Sequence, residues 1–271
     1  MSAVRASESV DPLQRIAELP GIAEAVRETR AIVDSLLGHR ILRRRSSDVS
    51  MEAALRGARA SAILEGAADA PLEQVRAGEH DEPRVKGALR VSGEMGTLVE
   101  TWPKAPRQVL ARLHTLAAAD AVPSAGLGRP RTDDDHAADP MGVGPAPDPA
   151  RMSIRLDALT DLLTTRTSAP ALVVAAIVHG ELMALRPFGW GDGVVARAAE
   201  RLTLVERGLD PKALVPSELG YLELRERYTP ALRQYLTGTP EGVAEWVVLC
   251  CDAVAEGARD SLATCEALKR G

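Results

Sequence analysis

A chain of 271 residues, 45% apolar and 26% charged, is long enough to bury one sizeable globular core. Its net charge of −5 argues against a nucleic-acid binder, whose affinity rests on neutralising phosphates, and no apolar stretch approaches a membrane span. Aromatic residues make up only 3%, with Phe188 the single phenylalanine, so the core must be built from Ala, Leu and Val, which favours packed helices over a sheet sandwich.

The opening segment MSAVRASESVDPLQRIAELP lacks an apolar signal-peptide core, so the expected location is the cytoplasm. Leu13, Ile16 and Ala17, then Ile22, Val26, Val33, Leu36 and Leu37, recur at helical spacing around a break at Pro20-Gly21. The basic run Arg40, Arg43, Arg44, Arg45 reads as the solvated end of a helix. A further helix is predicted from about Ser50 through Met51, Ala54, Leu55, Ala58 and Ala62 to Glu65, stopped by Gly66. Residues 67–106 read as helical fragments broken at prolines, and 107–119 as a helix with Val109, Leu110, Leu113 and Leu116 on one face.

Residues 122–151 carry six prolines among many Gly and Asp and read as a long loop with room for at most a small β-hairpin. Its Asp133, Asp134, Asp135, His136 run reads as a solvated acidic loop, because consecutive residues converge poorly on one ion. From Ser153 the helical pattern is firm: 154–163, then a helix opened by Ser168 and Pro170 that runs to Leu185, another from about Val194 to Gly208, and a last long one from Thr239-Pro240-Glu241. Cys250, Cys251 and Cys265 read as small buried hydrophobes in a reducing compartment, and their spacing suggests no metal site. The fold class is all-α.

Between the two firmest helices runs Arg186-Pro187-Phe188-Gly189-Trp190-Gly191-Asp192-Gly193-Val194-Val195-Ala196-Arg197. Three glycines in five residues feed a helix N-terminus, where backbone N–H groups and the helix dipole form an anion site. The stretch AIVHGELMALRPFGWGDGVVARAAERLTLVERGL resembles the Fic-family signature H-P-F-x-[DE]-G-N-G-R-x-x-R between two helices. Upstream, Ser61-Ala62-Ile63-Leu64-Glu65-Gly66 resembles that family's inhibitory motif, [ST]-x-x-x-E-[GN]. The resemblance implies a Fic-like helical domain over 95–271 and an N-terminal helical extension over 1–94, with the inhibitory-type helix at about 50–66.

In that family the loop binds a nucleoside triphosphate, the histidine takes a proton from a hydroxyl of a target protein, and the acidic residue holds magnesium. The resemblance carries over phosphate-binding positions Gly191, Asp192, Gly193 and Arg197, and inhibitory positions Ser61, Glu65 and Gly66. Arg186 stands in the seat of the histidine, and a guanidinium that stays protonated cannot accept a proton. Trp190 stands where the magnesium carboxylate belongs, Asp192 replaces the asparagine, and Val194 replaces the first arginine. No catalytic residue is left at the degenerate position Arg186, so the expected function is an inactive binding or regulatory protein, with a target protein and a nucleotide or anion as its partner classes. The alternative is an active protein-modifying transferase, by AMPylation or with another phosphate-containing donor, in which Arg186 grips the phosphates and Asp192 or His179 takes a catalytic role; only then are ATP and magnesium expected. Glu65 and Arg197 both persist, and a structural tie between them is expected.

Overall fold

Small aliphatic side chains do close the core as helices. The computed structural model describes residues 11–270, so the first ten residues of the expected 1–94 extension lie outside the described residues. Among the described residues there are twelve α-helices and no strand: α1 (Pro12–Ala17), α2 (Ile22–Leu37), α3 (Leu42–Leu64), α4 (Leu72–Ala77), α5 (Pro83–Leu98), α6 (Pro106–Ala118), α7 (Pro149–Thr164), α8 (Ala171–Leu185), α9 (Asp192–Glu206), α10 (Ser217–Glu223), α11 (Arg225–Leu236) and α12 (Pro240–Arg270). None is long and apolar enough to cross a membrane.

Local chemistry sets several starts. Asp11, Glu82 and Asp148 each accept a backbone N–H of the following helix, and each is followed by a proline at the first helical position, where the missing N–H costs nothing. The centre is the α8–α9 hairpin. Every residue of α8 except Ala171 and Glu181 is buried, as is every residue of α9 from Asp192 to Leu204. Such all-round burial marks core helices, and here α12, α6, α3 and α7 supply the surrounding layer. One hydrophobic cluster runs from Leu13 to Cys265. Its two large indoles are also satisfied, Trp102 Nε1 donating to Thr203 Oγ1 at 3.1 Å and Trp246 Nε1 to the Ala176 carbonyl at 2.8 Å.

Two expectations need correction. The loop before α7 forms no hairpin; it holds one 3₁₀ turn at Ser124–Gly126 and is otherwise irregular, because its prolines remove the donors a strand ladder needs. The expected fragments over 67–106 include the continuous 16-residue α5, since Pro83 starts that helix rather than breaking it. The position 94/95 at which the resemblance divides the chain lies within α5, and α3 packs on α5 and α10.

Close helix contacts yield one direct prediction. A Cβ at Gly220 of α10 would collide with the backbone carbonyl of Ala253 on α12, which cannot swing aside. Gly220→Ala should therefore destabilise the protein by about 1–3 kcal/mol in urea unfolding. Gly93→Ala, on an exposed part of α5 with open space around it, should instead raise stability by roughly 0.4–1 kcal/mol.

Candidate anion cradle at the α8–α9 turn

The turn is built by backbone signs that few residues tolerate. Arg186 caps α8 in the left-handed region (φ 43°, ψ 63°), and Gly189 (φ 80°) and Gly191 (φ 68°) reverse the chain into α9. A non-glycine residue there costs free energy unless its surroundings hold it. Asp192, the first residue of α9, provides part of that hold: its Oδ1 accepts the Phe188 amide at 2.9 Å, and its carboxyl also takes the Gly189 amide.

Asp192 is buried, and burial pushes its pKa from 3.8 up to about 7 against the pull of the Phe188 amide, with Glu65 nearby adding to the rise. A carboxyl whose folded value is raised keeps a proton that the unfolded chain releases. Its contribution to stability is thus present below about pH 4 and lost as the pH rises to about 7. Asp192→Asn, which retains an acceptor oxygen for the two amides, should flatten the fall in urea midpoint across that window.

The seat expected for an anion is taken from within. Gly193 faces the Glu65 carboxylate so closely that a Cβ would strike Oε1. Glu65 is delivered there by the end of α3. Gly66 (φ 91°) turns left-handed, its N–H bonds to the Ile63 carbonyl, and the Ala67 N–H bonds to the Ala62 carbonyl, the double closure of a Schellman cap. Glu65 Oε1 lies 2.9 Å from Arg197 Nη2, and Arg197, at 0% exposure, also donates to Ser61 Oγ (2.9 Å), to the Ser61 carbonyl (3.0 Å) and to Tyr228 OH (3.4 Å). A carboxylate at a helix N-terminus with a buried guanidinium beside it satisfies both charges internally.

Arg186 does not face an open cavity. Its guanidinium donates to the carbonyls of Ala138 (3.1 Å) and Gly144 and pairs with Asp139 at 3.4 Å. Arg131, from the same loop, reaches back to the carbonyls of Leu185, Arg186 and Pro147, so two buried arginines clasp the loop and the turn reciprocally. Main-chain bonds from Arg131 N to Pro187 O and from Ala138 N to Gly189 O, each 2.8 Å, complete the seam. Burial lowers the Arg186 pKa while Asp139 and Asp192 support its charge. Between Arg186, Asp139, Asp192, Gly193 and Glu65 remains about 20 Å³, the space of a single water, and beside it lies a cavity of about 320 Å³ lined by Glu65, Arg84, Trp190, Gly191 and Val194. Arg186→Ala should loosen the clasp, read as faster hydrogen exchange at the Ala138 amide with little change in α12.

Of the residues expected at the site, Gly191, Asp192, Gly193, Arg197, Ser61 and Glu65 are brought together, and Gly66 acts as the helix stop that aims Glu65. Val194 is buried, and Trp190 is half-buried with the Arg84 guanidinium 5.8 Å above its ring. His179 lies in the core with Nε2 2.7 Å from Tyr228 OH and no solvent exposure. Asp133 and Asp134 are exposed, while Asp135 bonds Thr132 and Arg129 within its own loop. One participant carries no sequence signal: His114 of α6 stacks on Phe188 at 4.3 Å and 5°, and its Nδ1 accepts the Gly128 amide at 2.9 Å. Burial pushes its pKa down to about 4, so it is neutral. It sits on an apolar helix face at a spacing that any core residue would share.

Comparison with known proteins gives the fold a name. A Fic family protein from Desulfovibrio desulfuricans G20 superposes with a TM-score of 0.72 at 22% identity, covering 89% of this chain and 74% of the other. Fic-1 from C. elegans superposes at 0.66 and 18%, covering 89% and 73%, and a variant of the same worm protein at 0.63 and 19%, covering 88% and 72%. No protein-family model and no curated protein matches the chain in sequence. The similarity lies in the fold.

Proposed function

We propose that this chain, built on the Fic fold, is a catalytically inactive binding or regulatory protein. The observation that carries the reading is the state of Arg186. In the seat that the resemblance reserves for a proton acceptor stands a guanidinium that stays protonated and is turned into the carbonyls of the overlying loop. Loss of a positioned base alone costs on the order of 10²–10⁴ in rate.

The residues also do not fit the groups that the transfer would need. Magnesium requires oxygen ligands, but Trp190 offers none, and the Asp192 carboxyl is committed to the Phe188 and Gly189 amides. The space of about 20 Å³ between Arg186 and Gly193 is too small for a triphosphate, and Glu65 occupies the anion position on α9, where it also walls off the adjoining cavity of about 320 Å³. Partners of this reading are a target protein and, once Glu65 and the loop move, a nucleotide or other anion.

One observation favours the second reading, an active transferase with rewired residues: Asp192, pushed to about 7, lies in the range of a general base. Calorimetry separates the two. With ATP, GTP or CDP-choline the inactive protein shows no magnesium-dependent micromolar binding, whereas such binding would favour the transferase.

A further inference from the structure

Behind the cradle, three helices converge on a polar cluster that the site does not use. His179 of α8, Glu200 of α9 and Cys250 of α12 bring Nδ1, a carboxylate oxygen and Sγ within 4.8 Å of one another. None exceeds 1% exposure. The residues stand far apart in sequence, so no spacing rule reveals the set, and the sequence alone gave no reason to expect a metal here.

The cluster is short of positive charge. Among the described residues the hydrogen-bond donors to Glu200 are neutral, Tyr221 OH at 2.7 Å and Ser217 Oγ at 3.4 Å, and no arginine or lysine pairs with it. The nearby arginines are engaged elsewhere, Arg197 with Glu65 and Arg201 with Glu218. A buried carboxylate without a cation is costly. His179 Nδ1 lies 3.2 Å from Glu200 Oε2, yet it makes no hydrogen bond there and is left without a partner. At that separation the nitrogen and the carboxylate need a positive centre between them, either the proton of an Nδ1–H imidazole or a bound cation.

We propose that His179 Nδ1, Glu200 and Cys250 form a buried structural site for a divalent cation, zinc by the chemistry of its ligands, that cross-links α8, α9 and α12 behind Arg197. Imidazole, carboxylate and thiolate together suit zinc better than hard cations, which take oxygen alone. Two nitrogen or oxygen ligands at about 2.0–2.1 Å in a tetrahedron stand about 3.3 Å apart, close to the separation found. The outer contacts also fit. Tyr228 holds the other ring nitrogen of His179, and Tyr221 and Ser217 hold the Glu200 carboxylate. On binding, a metal–sulfur bond forms and the Cys250 thiol proton is released to solvent. Without a cation, burial keeps that thiol protonated.

The test uses the full-length chain, unfolded and refolded with equimolar zinc or cobalt(II), then desalted. Elemental analysis should find about one zinc per chain in the wild type, with a higher melting temperature than the metal-free refolded protein. Cobalt should give a thiolate-to-cobalt charge-transfer absorption. Both signals should vanish in Cys250→Ala, a small change that leaves the helices in place, and the metal should be lost from His179→Gln. If His179→Gln fails to fold, Cys250→Ala alone decides. A wild type that retains no zinc, or a Cys250→Ala protein that binds as much as the wild type, overturns the site and leaves a proton between His179 and Glu200. Neither outcome bears on the proposed inactivity.

Discussion

Glu65→Ala is expected to lower the melting temperature by about 6–20 °C. Arg197 is fully buried, and Glu65 is its only carboxylate partner among the described residues. Removing one member of a buried ion pair leaves the other uncompensated and typically costs ~3–5 kcal/mol, and each kcal/mol moves a domain of this size by roughly 2–4 °C. Ser61 and Tyr228 keep neutral contacts to the guanidinium, which places the loss at the lower end if water reaches it. The matched control is Glu52→Ala. Its pair with Arg76 joins α3 to α4 at the surface and is worth ~0–1 kcal/mol, so the transition should barely move. Equal, small shifts for both variants would mean that the Glu65–Arg197 contact does not tie α3 to α9. Differential scanning calorimetry at pH 7 reads both.

Much of this architecture was legible because the residues that build it act locally. The stripe of Val243, Trp246, Val247, Cys250 and Val254 is enough to define α12, whereas the tie between Glu65 and Arg197, found at 2.9 Å, was expected only because the segments that carry them resemble two motifs of one family. Local rules failed where a residue has two uses. Pro83 reads as a breaker until Glu82 is seen accepting the Arg84 amide, after which it is a helix start. The clasp was hidden for a different reason. Arg131 and Arg186 hold it mainly through backbone carbonyls, which every residue has, and the one carboxylate partner, Asp139 of Arg186, is one of several aspartates in its loop. His114 and the His179–Glu200–Cys250 set depend on which helices meet, a property of the packed core rather than of any segment.

Labelled-nucleotide transfer tests the central claim most directly. Full-length protein is incubated in lysate with magnesium and labelled ATP, as wild type, as Glu65→Gly to vacate the anion position, and as Arg186→His to restore a proton acceptor. All three should leave every protein unlabelled, because Trp190 and Val194 still withhold a metal ligand and a phosphate contact even when the imidazole is returned. A covalent nucleotide adduct formed by the Glu65→Gly protein and abolished by Arg186→Ala would contradict the account.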